Sequence, residues 1–391
     1  MILRLRCSIL ILALAGLFAP SEAVAQSSLF GVRGLGFPGR PLSARVRGTG
    51  GSFALFDGES DANPAAITSL PALTVGLVAA PGWRRWNTPA GEAKLQDTRF
   101  PLMFAAGPIP GSRLAVAVSV GSYADRDYTL ATRDTVSYRG APIAVRDTVT
   151  SLGGLNQLRL AFGYRPSDRT RLGAAVYWIT GSQRMKAKRI FEDSAYQPIR
   201  QAAELTYSGV GVVAGVTHRV SPSLELASTV RMDSKASVDR DSTAAYDVDL
   251  PWSAAAGMLW RASRRLTVGA HGAFHTWGSA DADVKAAGGI GARNTMEFSA
   301  GVEVATNPRR PTRIPIRFGA RYAELPFLLH ADERPRELGL SLGTGARFSQ
   351  DRIGLDAALE YSSQKEVEGF SERTFRLVLG LSISPYVPGV R

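Results

Sequence analysis

Apolar and polar residues alternate along the C-terminal half of the chain. Phe375, Leu377, Leu379, Leu381 and Ile383 are separated by Arg376, Val378, Gly380 and Ser382. Upstream, Ile353, Leu355, Ala357, Leu359 and Tyr361 enclose Gly354, Asp356, Ala358 and Glu360, and Ile314, Ile316, Phe318, Ala320 and Tyr322 enclose Pro315, Arg317, Gly319 and Arg321. A period of two is a strand signal, because successive side chains point to opposite faces of a sheet. The apolar face needs a non-aqueous neighbour, while the other face carries charges and glycines. Repeated along the chain, this predicts an all-β fold: a transmembrane antiparallel β-barrel with lipid outside and a polar lumen inside.

From Leu73 onward the pattern places strands at 72–80, 98–107, 113–124, 154–164, 171–181, 202–218, 223–233, 246–260, 265–277, 294–306, 314–325, 337–348, 353–362 and 373–384, about 14 in all. Short connectors such as Pro166–Thr170, Val220–Pro222, Arg261–Arg264 and Ser349–Arg352 alternate with long ones at 81–97, 125–153, 182–201, 234–245, 278–293, 326–336 and 363–372. Outer-membrane barrels have short periplasmic turns and longer outer loops, and an even strand number brings both ends to one side. The expected location is therefore the outer membrane of a Gram-negative-type bacterium, with both termini periplasmic. Tyr164, Trp178, Trp260, Tyr322, Phe348 and Tyr361 fall near strand ends, where interfacial aromatic girdles sit.

The N-terminus fits that destination. Arg4 and Arg6 precede an apolar stretch from Ser8 to Phe18, and Ala23-Val24-Ala25 is a small-residue cleavage site, so 1–25 reads as a signal peptide. The one cysteine, Cys7, lies inside it, which excludes disulfides and thiolate catalysis from the mature chain. No later run of about 18 apolar residues follows, so an inner-membrane helical protein is excluded. The net charge of +12 falls to +11 without the signal. On a secreted chain this points to outer-membrane lipid and lipopolysaccharide rather than nucleic acid.

Residues 26–71 do not alternate and are rich in glycine, which sets them apart from the barrel at 72–384 and a periplasmic tail at 385–391. Within them, Gly48, Gly50 and Gly51 permit tight bends. Asn63-Pro64-Ala65 is a compact helix start, in which Asn caps free N–H groups and Pro loses nothing at the first position. The run Gly50-Gly51-Ser52-Phe53-Ala54-Leu55, the acidic spacer around Asp57, and Asn63-Pro64-Ala65 resemble the N-terminal hatch of FadL-type outer-membrane proteins. These are the long-chain fatty acid and aromatic hydrocarbon transporters and their PorV-like relatives. The resemblance implies that 26–71 plugs the lumen and that Asn63, Pro64 and Ala65 belong to the hatch wall. It also implies passive movement of a hydrophobic small molecule through a lumenal pocket.

Other constellations carry less chemistry. Gly34-x-Gly36-x-x-Gly39 matches a dinucleotide fingerprint in spacing only, since it follows no strand and contains Pro38. His271 and His275 share one strand face but lie about 13 Å apart, too far to converge on a metal. Arg159, Glu297, Glu303, Arg317, Arg321, Asp356, Glu360 and Arg376 face inward and suit salt bridges holding a plug and a wet interior. Arg317, Arg321, Arg159, His271 and His275 are the ligand and lumen candidates, with Arg317 and Arg321 placed to greet a carboxylate. Asp281 and Asp283 mark an acidic outer loop. No Gly-x-Ser-x-Gly elbow or other catalytic motif is present, so no enzyme, metal or cofactor is expected. The reading is a channel for passive uptake of hydrophobic or amphipathic molecules. Its alternative is a PorV-like accessory barrel in secretion or surface assembly that moves no solute. The partners expected are outer-membrane lipid, lipopolysaccharide, a hydrophobic ligand and the barrel-assembly machinery.

Overall fold

The computed structural model describes residues 28–385 except 89–90, 139, 194, 310–313, 331–332 and 366–369. The signal peptide (1–25) and residues 386–391 of the tail lie outside the described residues. Strands β2 (Thr74–Thr88), β3 (Gly91–Pro108), β4 (Leu114–Asp125), β6 (Ala141–Tyr164), β7 (Thr170–Phe191), β8 (Ile199–Arg219) and β9 (Leu224–Asp233) form one half of the wall. The other half is β12 (Ser253–Arg261), β13 (Leu266–His275), β14 (Thr295–Ala305), β15 (Pro315–Glu324), β16 (Arg336–Phe348), β17 (Ile353–Lys365) and β18 (Ser371–Ile383). Each pairs antiparallel with its neighbours, and β18 pairs with β2, so these 14 strands close on themselves. Closure removes the unpaired edge that hydrocarbon cannot satisfy. Leu338, Leu340, Phe318, Phe162 and Phe375 stay half-exposed or more on the outer face. That is what an apolar face does when its solvent is lipid.

The short connectors sit at one end of the barrel, the turn end. At the other, the loop end, the wall departs from the expected pattern. Residues 81–97 are not a long connector: β2 and β3 run through them and stay paired out to Thr88 and Gly91. The 125–153 connector contains β5 (Tyr128–Tyr138) and the first half of β6, and 182–201 is mostly β7 and β8. The expected strand 246–260 is split, with β11 (Thr243–Val248) pairing with β10 (Ala236–Arg240) and the wall strand starting only at Ser253. The cause is physical. Beyond the bilayer neither face needs lipid, so the backbone ladder continues while apolar alternation stops. β6 runs 24 residues, roughly 80 Å, against the ~9–11 residues that span a bilayer.

Residues 28–73 lie inside the wall. Ser28 donates to Glu372 (2.7 Å) at the loop end, and β1 (Phe37–Pro38) pairs with Asp125 and Ala124 at the top of β4. Helix α1 (Ala44–Gly48) follows, capped by Ser43, whose Oγ accepts from the Val46 N–H (3.2 Å). A 3-10 turn at Pro64–Ser69 then meets β6, β7 and β8 near the turn end, where the chain enters β2. Ile383 pairs with Val75 at the turn end, whereas Ser28 lies at the loop end. The segment before the barrel runs the length of the lumen, which strand parity does not reveal.

Candidate functional site

The site is the lumen, and its shape begins with glycine. The inward row of the wall carries Gly173, Gly215, Gly301, Gly319, Gly343 and Gly380, each placed where the lumenal segment comes closest. A methyl group at Gly380 would sit 2.9 Å from Ala44 Cβ. At Gly319 it would overlap the Thr49 carbonyl carbon, and at Gly215 the Asn63 side-chain oxygen. The segment replies in kind. Gly50 (φ 71°) and Gly51 (φ 104°) adopt left-handed backbone that other residues resist, and a Cβ on Gly50 would lie 2.9 Å from the Ala320 backbone. Plug and wall therefore touch backbone to backbone.

Around these contacts run chains of buried charge. Arg45 on α1 forks onto Glu303 through Nε (3.1 Å) and Nη2 (2.9 Å). Glu303 also accepts from Arg317 Nε (2.7 Å), Arg317 Nη1 donates to Asp356 (2.6 Å), and Arg347 completes the chain on the other Asp356 oxygen (2.7 Å). Arg47 pairs bidentately with Glu360, which Arg40 approaches at 3.7 Å. Arg321 bridges Glu297 (2.9 Å) and Glu337. Towards the loop end, Arg84 pairs with Glu372 (2.6 Å) and Asp97 (3.3 Å).

The opposite wall uses a different device. Asp61 accepts from Ser119 (2.7 Å) and Arg159 (3.2 Å), and the Tyr177 hydroxyl donates to its backbone carbonyl (3.3 Å). Arg159 and Arg231 lie over the Tyr177 ring at 5.8 and 4.1 Å. Below them Asn63 acts in three ways: its oxygen caps the Ala65 N–H (3.0 Å), and its amide donates to Leu55 O (2.8 Å) and Thr217 (3.2 Å). Pro64 takes the first turn, and Ala65, Ala66 and Ile67 are fully buried.

Within the segment, Asp57 accepts from the Ser43 (2.8 Å) and Ser60 (2.7 Å) hydroxyls and so braces α1. Burial, and after it the charges of Asp57 and Asp356, push the neighbouring Glu59 carboxyl up to about 7, although part of its surface stays accessible. Burial chiefly, helped by Arg321 and Arg47, lowers the Arg40 guanidinium to about 10. For Arg45 the Glu303 carboxylate dominates and raises it, which keeps the clamp charged.

The ligand candidates thus fall in separate places. Arg317 and Arg321 lie on one strand, but each already holds two carboxylates. Arg159 sits across the lumen on Asp61. His271 and His275 are half-buried on β13, and His275 lines a cavity with Arg231 and Glu297. Among the described residues no cluster of three or more His, Cys, Asp or Glu side chains is placed to hold a metal. Sequence reasoning missed Arg45, Arg47, Asp61 and Glu337. For Arg45 and Arg47 the available signal was two arginines spaced as Arg-x-Arg just before the glycine cluster.

The space left around the segment is small and polar. Two lumenal cavities hold about 190 and 170 Å³. A third, between Arg47, Arg321, Glu360 and Arg376, holds about 40 Å³. A family model described as BamG matches residues 1–246. The chain belongs to the BamG family. Its fold is the FadL-type outer-membrane barrel. A FadL homologue of Pseudomonas aeruginosa is similar at 14% identity and TM-score 0.60, covering 89% of this chain and 99% of that one. The Pseudomonas putida toluene transporter TodX is similar at 13% identity and TM-score 0.56, covering 90% and 100%. The monoaromatic hydrocarbon channel CymD gives 14% identity and TM-score 0.56, covering 90% and 98%. No curated protein matches by sequence. At these identities the likeness is one of fold, and the lumen of this BamG-family chain has to be read from its own residues.

Proposed function

We propose that this BamG-family barrel is a closed, non-enzymatic scaffold in the outer membrane, an accessory subunit that docks other envelope proteins and moves no solute. Its loop end faces outward. One observation carries the reading: the lumen is occupied by backbone-to-backbone plug contacts and buried ion pairs between plug and wall and along the wall. The three lumenal cavities named above are each below the roughly 300–1,000 Å³ of ordinary ligand pockets. Moving the plug requires separating Arg45 from Glu303, Arg47 from Glu360 and Asp61 from Arg159, and breaking one such buried pair costs about 3–5 kcal/mol. The family name, which points to barrel-assembly machinery, suits a partner of that kind, and the β5 and β10–β11 excursions at the loop end offer surface beyond the bilayer. The test is mild-detergent purification of the tagged full-length protein from its native membrane, followed by mass spectrometry of proteins and lipids. A stoichiometric outer-membrane partner and no retained lumenal lipid are expected. A partner-free barrel carrying a hydrophobic molecule would overturn the reading.

One observation favours the second reading, passive uptake of a hydrophobic molecule. The β2–β3 ladder skips between Val78 and Ala80, beside Pro81 and Pro101, and the 170 Å³ cavity lies against Phe100 and Pro101. Proline removes a ladder donor and belongs at such breaks. The ladder is interrupted there, and a side exit would use this point. Deletion separates the two readings: uptake predicts impaired growth on the hydrophobic substrate, the scaffold predicts impaired assembly of other outer-membrane proteins.

A further inference from the structure

The outer face of the wall at the β16–β3 seam carries a second constellation, unrelated to the lumen. Tyr361, Phe375 and Trp83 lie directly opposite one another on β17, β18 and β2, with the Tyr361 and Phe375 ring centroids 4.9 Å apart. Phe375 is eight residues from Ile383 at the turn end of the same strand, roughly 27 Å along the strand, which matches the ~25 Å apolar band of such barrels once tilt is allowed for. These rings therefore mark the outer boundary of that band.

Two residues further up, on the same outward face, the register places Arg373 opposite Arg85 and Arg85 opposite Lys94. All three are exposed, and none has an ion-pair partner among the described residues. Arg336 and Lys365, also exposed and directly opposed, extend the row on β16 and β17. Among the described residues of strands β16, β17, β18, β2 and β3, the one acid on this outward face above the rings is Glu92, at the tip of β3. Like charges directly opposite one another destabilise a sheet. The lumen pairs its arginines with carboxylates, whereas this row, like Lys188 opposite Arg200 on the projecting sheet, does not; what sets the row apart is its place directly above the aromatic rim of the apolar band.

We infer that Arg85, Lys94 and Arg373 form a binding site for a phosphorylated glycolipid of the outer leaflet, with the phosphate on the cations and acyl chains against Leu377, Leu379 and Leu77 below. Three neighbouring strands span about 10 Å, wide enough for one phosphate to engage more than one cation. Guanidinium forks match phosphate oxygens bidentately. An apolar wall beneath an aromatic rim and a cationic row suits an amphiphile rather than a free ion. The inference rests on the loop end facing outward and holds under either function proposed above.

The test measures binding of full-length protein, in neutral detergent, to three probes: bisphosphorylated lipid A, dephosphorylated lipid A and inorganic pyrophosphate. Wild type is compared with the triple variant Arg85→Gln, Lys94→Gln, Arg373→Gln, and with Lys188→Gln, Arg200→Gln on the projecting β7–β8 sheet. At low salt the triple variant is expected to lose at least about tenfold affinity for bisphosphorylated lipid A, because it removes the charge-assisted contacts to phosphate. It should bind the dephosphorylated form as wild type does, and pyrophosphate should not compete at the lipid's own concentration. Because the variant relieves repulsion, its melting temperature in lipid-free detergent should stay level or rise, which separates lost binding from lost folding. Unchanged lipid A affinity in the triple variant would overturn the inference, as would an equal loss in the β7–β8 variant. Equal competition by pyrophosphate would overturn the lipid assignment. Failure of the scaffold reading leaves these outcomes unaffected, since they are read on the outer face.

Discussion

The lumenal segment is held by two walls in two different ways. Against β14–β18, α1 is clamped by charge: Arg45 and Arg47 reach Glu303 and Glu360, and Arg317 ties Glu303 to Asp356. Against β6–β8, the Pro64–Ser69 turn is held by shape. Ile67 is fully buried among Ala161, Ala175, Tyr177 and Val213, and Asn63 satisfies its own amide. Charge fixes orientation and depends on every partner being present, whereas close packing tolerates a lost polar group and punishes lost or added volume. A plug held in both ways resists both ionic and steric release, which a frequently opening gate would not need.

The largest effect is expected where both devices converge. Gly319→Leu drives a side chain into the Thr49–Gly50 backbone, and because the obstruction is main chain, the cost should exceed the usual 1–3 kcal/mol of overpacking. The plug should leave its seat, read as new protease cleavage within 40–60 in a barrel that still shows heat-modifiable mobility. Full protease resistance would mean the seat is soft. Next, Arg317→Ala leaves Glu303 to Arg45 alone and Asp356 to Arg347 alone, and should cost up to about 3 kcal/mol in detergent unfolding. Glu303→Gln should cost less on that background than in wild type, and equal costs in the two backgrounds would argue against the pairing. On the other wall, Asn63→Ala removes a cap and two donor bonds for about 1–2 kcal/mol, with little dependence on salt. A strong salt dependence there would erase the contrast between the walls.

The smallest effect is one of pH. Because the Glu59 carboxyl titrates at about 7 when folded, above its ordinary value of 4.5, the folded protein holds the proton longer. Stability from this group is fully present below about 4.5 and is lost as pH rises through 7. Wild type should therefore loosen between pH 5 and pH 8, while Glu59→Gln should flatten that slope and leave stability at pH 5 unchanged. An identical slope in the variant would place the titration elsewhere.

Much of this was legible in the sequence, for identifiable reasons. Lipid imposes a strict period of two, so the wall from β14 to β18 is readable to within three residues, and the inward side of Arg317 and Arg321 follows from Ile316 and Phe318 facing out. Asn63-Pro64-Ala65 reads as a cap because the cap is local chemistry. The loop-end extensions of β2, β3, β6 and β7 were illegible because water on both faces removes the pattern while the ladder persists. The partners of Arg317 and Arg321 were only half visible. Glu303 and Glu297 sit directly or nearly opposite on β14, but Arg45, Arg47 and Asp61 reach them or their neighbours from a segment with no periodicity to place it.

The central claim is that the lumen is closed by the 28–71 segment and stays closed. Single-channel recording in planar bilayers tests it most directly, comparing the full-length protein with Arg47→Ala, Arg321→Ala and with a variant lacking residues 40–60. The full-length barrel should be silent, the double variant should flicker, and the deletion should conduct steadily. Steady conductance through the full-length protein, or silence after the deletion, would contradict the account.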